Sequence, residues 1–126
     1  MKPSVIPAAV LAAALSLCLI NSVWLTRRCS DWDGQLESVD SHCRTEDWAA
    51  AGEQLETLYL NWQSVQPWLH IILDHDLLNE AEMLFCRARV LVQEEDSVEF
   101  RSHISDLRSQ LMLLAELEQP RVENIL

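Results

Sequence analysis

Residues 4–26 read SVIPAAVLAAALSLCLINSVWLT, and no charged residue occurs between Lys2 and Arg27. A helix over these 23 residues would be about 34 Å long at 1.5 Å per residue, enough to cross a hydrocarbon core of roughly 30 Å. No later stretch of the chain is as apolar. The sequence therefore predicts a single membrane span that contacts lipid through residues 4–26.

The span is expected to stay attached to the rest of the chain. Its apolar run is longer than the core of about 7–15 residues in a cleaved signal peptide, and no small-x-small cleavage site lies within residues 19–26, just before Arg27. We therefore expect a signal anchor over residues 1–28 of a single-pass protein of the cell membrane. Arg27 and Arg28 favour a cytoplasmic C-terminus by the charge rule. The acidic remainder, which has no lysine, favours an extracytoplasmic domain, and we adopt that orientation.

Charge is distributed very unevenly along the chain. All 20 acidic residues lie at or beyond Asp31, together with only six arginines, so this part carries a net charge of −14. Such a surface repels phosphate backbones, and no nucleic-acid partner is expected. Solvated helix faces and solubility are the simplest explanation of the acidic residues.

Apolar residues recur at steps of three and four, which predicts an all-α fold: a transmembrane helix continuing into a small antiparallel bundle of three to four helices. A juxtamembrane helix over 29–44 precedes an acidic helical bundle domain over 45–126. Helices are expected to begin after Thr45, at Pro67 and after Asp96. The predicted shared core contains Leu58, Trp62, Ile72, Leu77, Leu84, Leu91, Ile104, Leu107 and Leu111.

Two histidines and nearby carboxylates are the candidates for chemistry. His70, Asp74 and His75 are potential metal ligands, but a continuous helix would place the two histidines about 140° apart around its axis, where they cannot converge. The alternative is that His75 forms a hydrogen bond across the bundle. The chain has no phosphate-binding loop, nucleophile elbow or Cys-x-x-Cys motif, so we expect neither a cofactor nor enzymatic activity.

The cysteines and the small residues of the span allow further contacts. Cys29 and Cys43 would be about 21 Å apart on one helix, too far for a disulfide. Cys43 and Cys86 could meet between helices, although free buried thiols are favoured. Within the span, small residues spaced by four permit close helix pairing and hence a homodimer, although alanine is also common in signal-like segments. These small residues are Ala8, Ala12 and Ser16.

The whole chain resembles a family of short single-span membrane proteins of Gram-positive bacteria, catalogued as a domain of unknown function. The matching features, besides the span, are Asp47-Trp48 with Ala51, Leu55, Leu58 and Trp62; Pro67-Trp68-Leu69 leading to Leu73-Asp74-His75; and Phe100, Leu107 and Asn124-Ile125-Leu126. Asp47-Trp48-x-x-Ala51 is also similar to the first helix of a tetratricopeptide-like hairpin, present in one copy. The resemblance implies a membrane-anchored helical domain without a known activity or cofactor.

Two functions are consistent with these observations. The first is a membrane-anchored, non-enzymatic interaction or structural module of the bacterial cell envelope, which would bind an unknown protein partner through its acidic face, His75 or the tail residues Asn124, Ile125 and Leu126. The alternative is a metal-binding or sensing domain that uses His70, His75 and nearby carboxylates.

Overall fold

The computed structural model describes residues 3–118, which form four helices: α1 (Val5–Arg44), α2 (Trp48–Ile72), α3 (His75–Glu94) and α4 (Ser97–Glu118). Consecutive helices are antiparallel because only two or three residues connect them. Helix α1 packs against α2 and α4, and α3 packs against the same two helices from the opposite corner. The predicted all-α fold, with a long first helix entering an antiparallel bundle, is confirmed.

Helix α1 has two halves with different surroundings. Its apolar residues from Val5 to Ile20 are exposed, whereas from Ser22 onward one stripe of the helix is buried between α2 and α4. The helix runs without interruption through Gly34. Steps of four and three residues give the stripe its helical periodicity. It consists of Leu25, Cys29, Trp32, Leu36, Val39 and Cys43.

Aromatic side chains connect three helices at the centre of the core. The ring centroids of Trp32 and Trp62 are 5.5 Å apart in an edge-to-face arrangement, and Trp62 is 5.4 Å from Phe85. Most of the predicted core is buried, whereas Ile72, Leu77 and Leu91 are only partly buried against it. The buried members are Leu58, Trp62, Leu84, Ile104, Leu107 and Leu111.

The expected helix boundary at Pro67 was wrong, because α2 continues through this proline to Ile72. Proline in a helix removes one backbone hydrogen bond, here to the carbonyl of Gln63, and costs roughly 3 kcal/mol. Pro67 and Gln63 are both on the exposed side, where water can reach that carbonyl. Leu69, two residues further along, is fully buried. Its burial, worth about 1.5–3 kcal/mol, helps to offset the cost of the proline.

The first turn also differs from expectation, because Thr45 ends α1 instead of capping α2. Glu46 adopts the left-handed conformation with φ 61°, and the N–H of Asp47 donates to the carbonyl of His42 at 2.9 Å, which closes a Schellman-type turn. Asp47 then caps α2, since its Oδ1 accepts from the N–H of Ala50 at 3.2 Å.

The cap expected at the start of the last helix is confirmed. The Oδ1 atom of Asp96 accepts from the N–H of Glu99 at 3.2 Å. The backbone carbonyl of Asp96 accepts from the N–H of Phe100 at 2.9 Å, the first hydrogen bond of α4. The side chain of Asp96 therefore satisfies one of the amide groups that the start of a helix leaves unpaired.

All four cysteines are free thiols, but they differ in accessibility. Cys29 and Cys43 are buried in the α1 stripe, and burial raises the pKa of Cys29 to about 12. This thiol therefore stays protonated and unreactive at neutral pH. Cys86 is exposed, so the expectation that it is a buried thiol was wrong. It lies on α3 one position beyond the buried Phe85, where the side chain turns away from the core.

Two leucines of α2 test this assignment of the core. Leu58 is fully buried, whereas Leu60 is 57% exposed. We expect Leu58→Ala to lower the free energy of unfolding by about 2–5 kcal/mol, because it leaves a cavity. The matched Leu60→Ala variant should stay within about 0.5 kcal/mol of the wild type. Denaturant unfolding of the full chain in detergent, followed by circular dichroism, measures both; equal losses would contradict the packing.

Candidate functional site

The predicted histidine and aspartate candidates meet at the turn between α2 and α3. His70 lies in the last turn of α2, and His75 is the first residue of α3. The backbone is extended at Leu73 and Asp74, so the two helices are separate. The Nδ1 atoms of His70 and His75 are 2.9 Å apart, a hydrogen-bonding distance at which one imidazole N–H donates to the other ring. The expectation that these histidines point apart was wrong, because it assumed one continuous helix.

The carboxylates around this pair have other partners or point elsewhere among the described residues. Asp74 Oδ1 accepts from the backbone N–H of Asp76 at 2.9 Å, which caps α3. Two imidazoles provide fewer ligands than the three or four protein ligands of a zinc site. Within residues 3–117, no group of three or more His, Cys, Asp or Glu side chains is placed to hold a metal ion. The other predicted interaction residues, Asn124, Ile125 and Leu126, lie outside the described residues.

A group of hydrogen bonds around the carboxylate of Glu82, here called the Glu82 cluster, joins α2 to α3. The sequence did not reveal it. Glu82 Oε1 accepts a hydrogen bond from the hydroxyl of Tyr59. Its Oε2 accepts from Trp62 Nε1 at 2.7 Å and from Gln66 Nε2 at 2.9 Å. Glu82 follows the buried Ala81 and precedes the buried Phe85 by three residues. An acidic residue on this apolar face was the only sequence signal for the cluster.

The chemistry of the Glu82 cluster indicates a structural role. The hydrogen bond to Glu82 and then burial raise the pKa of Tyr59, so the phenol stays neutral and continues to donate. Arg89 extends the contact, with its guanidinium 4.3 Å from the Tyr59 ring centroid and its Nε 2.8 Å from Glu56 Oε2. Cys86 Sγ also lies 3.8 Å from Glu82 Oε1. The cluster therefore holds α2 against α3.

Ion pairs make the corresponding connection between α1 and α4. Arg108 Nε is 2.8 Å from Asp33 Oδ1, and Arg101 Nε is 2.8 Å from Asp40 Oδ1. In both pairs Nη2 of the arginine also donates to Oδ2 of the same aspartate. Such two-point contacts fix the relative positions of the helices more strictly than single ion pairs do. The acidic face of α1 is thus partly neutralised by arginines of α4.

The exposed half of α1, from Val5 to Ile20, is an uncovered apolar surface. Of the described helices, α1 alone is long and apolar enough to cross a membrane, judged by length and composition. The exposed surface ends near Trp24, whose ring centroid is 5.6 Å from the guanidinium carbon of Arg28. Apolar surfaces of this extent mark membrane or protein contacts.

These features define a class: an acidic four-helix bundle whose first helix extends beyond it as an uncovered apolar segment. The chain belongs to the family described as a domain of unknown function (DUF4363), which matches residues 19–125. The resemblance to a family of unknown function, noted from the sequence, is thereby confirmed. No curated protein and no solved structure matches the chain.

Replacing Glu82 tests whether the cluster holds the helices together. We expect Glu82→Ala to lower the free energy of unfolding by about 2–3 kcal/mol, because the Trp62 N–H and its neighbours lose their acceptor in a partly buried site. Glu80→Ala, which removes an exposed carboxylate two positions away on the same helix, is the matched control and should change stability by less than about 0.5 kcal/mol. Urea unfolding of both variants makes the comparison. Equal stabilities would mean that the cluster contributes nothing.

Proposed function

We propose that this protein is a single-span membrane protein whose helical bundle serves as a non-enzymatic interaction or structural module of the bacterial cell envelope. The observation that carries the proposal is the division of α1 into two halves. The same helix is buried by the bundle from Ser22 onward and is bare from Val5 to Ile20. Leu, Val, Ile and Ala predominate in this exposed segment, the bare half of α1. A bilayer can cover it without leaving backbone N–H or C=O groups unpaired, because these groups already form hydrogen bonds within the helix.

In this arrangement α1 holds the helical bundle at the membrane surface, and the bundle makes the contacts with other molecules. We propose that it lies outside the cytoplasm and binds a protein partner through its acidic outer face. His75 is exposed in the turn between α2 and α3, where a partner could reach it. Asn124, Ile125 and Leu126 remain the second predicted contact. Three described arginines of α3 and α4 form ion pairs with carboxylates of this chain. The carboxylates that outnumber them remain unpaired and could bind a basic partner.

Pairing of two copies through the span remains part of the proposal. Ala8, Ala12 and Ser16 are exposed on the bare half of α1. Their spacing of four residues places them along one side of the helix, where small side chains permit a close approach of a second helix.

Charged substitutions in the bare half test the membrane anchor. We expect the wild type to remain in the membrane fraction after an alkaline carbonate wash. Leu11→Arg combined with Leu15→Arg should release the protein or prevent its insertion, since each arginine costs about 2.5–3.5 kcal/mol at the centre of a bilayer. Leu60→Arg, at an exposed leucine of the bundle, is the control and should remain membrane-bound.

Either of two results would contradict the anchor. One is release of the wild type by the wash. The other is recovery of a soluble form that lacks roughly the first two dozen residues, as cleavage of a signal peptide would produce.

A second candidate, metal binding or sensing, rests on the contact between His70 and His75. Titration of the full chain in detergent with zinc, followed by calorimetry, separates it from the leading proposal. The leading proposal predicts no binding in the micromolar range, because the pair lacks further ligands. Micromolar or tighter binding that disappears in His75→Ala would favour the metal-binding function.

A further inference from the structure

We propose that the base of the bundle rests in the interfacial zone of the bilayer that α1 crosses, through an apolar collar formed by Trp68, Ile71 and Leu117. The inference rests on the proposed membrane anchor and adds a second site of lipid contact. It assigns a position relative to the membrane to the end of α2 and the end of α4.

The register of α2 against α1 places Trp68 and Ile71 at the level where the bare half of α1 begins. Trp32 Nε1 donates to Asn61 Oδ1 at 2.8 Å, so these two residues are level with each other. Ile71 follows Asn61 by ten residues on the antiparallel helix, and Ser22 precedes Trp32 by ten. Both displacements are about 15 Å along the bundle. Ile71 is therefore level with Ser22.

The register of α4 against α1 places Leu117 at the same level. Arg108 and Asp33 face each other at 2.8 Å. Leu117 follows Arg108 by nine residues, and Trp24 precedes Asp33 by nine, so Leu117 is level with Trp24. A span that starts at Val5 reaches the far side of a hydrocarbon core of about 30 Å after about 20 residues, which is at Trp24. The collar and the boundary of the hydrocarbon core thus coincide.

The side chains of the collar have the chemistry of a membrane interface. Ile71 is 74% exposed, Leu117 is 55% exposed and Trp68 is 41% exposed. Tryptophan is enriched at the boundary between headgroups and hydrocarbon. Helix α2 and its C-cap carry no Asp, Glu, Lys or Arg from Thr57 to Leu73, so inserting the end of this helix requires no charge to be desolvated.

Charged groups at the same end of the bundle can remain hydrated. Asp74 and Asp76 belong to the turn and the start of α3, the helix diagonally opposite α1. Glu116 is exposed beside Leu117. By the register above, Asp74 lies beyond Ile71 towards the bilayer, so its carboxylate is kept hydrated by local thinning of the bilayer and penetration of water at this corner. Once α1 is inserted, the lipid around it already contacts the collar, and no second molecule has to bind. Lipid is therefore favoured over a separate protein as the partner of the collar.

Spin labels test the position of the collar directly. In a Cys18→Ser, Cys86→Ser background, single nitroxides are attached at Leu11→Cys, Ile71→Cys and Val98→Cys in the full chain reconstituted in phosphatidylcholine bilayers. The two remaining cysteines are buried. Val98 is the matched control, because it is 80% exposed at the opposite end of α4. Collision rates with oxygen, which partitions into lipid, and with a water-soluble nickel chelate report the environment of each label.

We expect the Ile71 label to collide several-fold less often with nickel and several-fold more often with oxygen than the Val98 label, as the Leu11 label should. An Ile71 label that behaves like Val98 while Leu11 remains in lipid would overturn the collar and leave the anchor standing. An Ile71 label that collides with neither reagent would be covered by protein and would also overturn it. A water-exposed Leu11 label would overturn both proposals.

Fluorescence gives a second measurement without labels. In bilayers containing lipids brominated near the headgroup end of the acyl chain, we expect Trp68→Phe to reduce the quenched fraction of the total tryptophan emission. Trp48→Phe is the control, because Trp48 begins α2 at the opposite end of the bundle, about 30 Å from Trp68 along the helix. An unchanged quenched fraction in Trp68→Phe would overturn the collar.

Discussion

The packing of Trp32 against Trp62 determines how α1 enters the bundle. Trp32 is fully buried, meets Trp62 edge to face and donates its indole N–H to Asn61. A buried aromatic pair of this kind contributes about 0.5–1.5 kcal/mol beyond its apolar area. Because α1 is one continuous helix, fixing Trp32 also fixes the level at which its apolar half leaves the bundle. The positions of the bare segment and of the two neighbouring helix ends follow from this contact.

Apolar packing favours the association of the helices, whereas the polar contacts specify their register. Each exposed ion pair is worth little by itself. The two-point pairs of Asp33 and Asp40 with α4, and the Glu82 cluster between α2 and α3, nevertheless exclude shifts of a helical turn, because a shift would separate all partners at once. The described ion pairs of Arg89, Arg101 and Arg108 bridge neighbouring helices at the surface of the bundle.

Local patterns predicted much of this fold, and contacts between helices account for what they missed. Steps of three and four correctly placed Leu58, Trp62 and Leu107 in the core, because periodicity along one helix needs no knowledge of its neighbours. The helix boundary expected at Pro67 was wrong for the opposite reason, since tertiary packing, including the burial of Leu69, offsets the local cost of proline in a helix. The shifted boundary then separated His70 and His75 onto two helices and brought them together. The role of Glu82 depends on donors from α2, which no spacing within α3 reveals.

In the proposed arrangement, a single helix is shared between a bilayer and the bundle. Amide hydrogen exchange of the full chain in lipid nanodiscs, resolved by mass spectrometry, tests it most directly. The structure predicts that amides of residues 25–43 exchange as slowly as those in the middle of α2 and α4, because they belong to one cooperative core. Fast exchange across residues 29–44, with residues 48–118 still protected, would show a separate juxtamembrane helix and contradict the account.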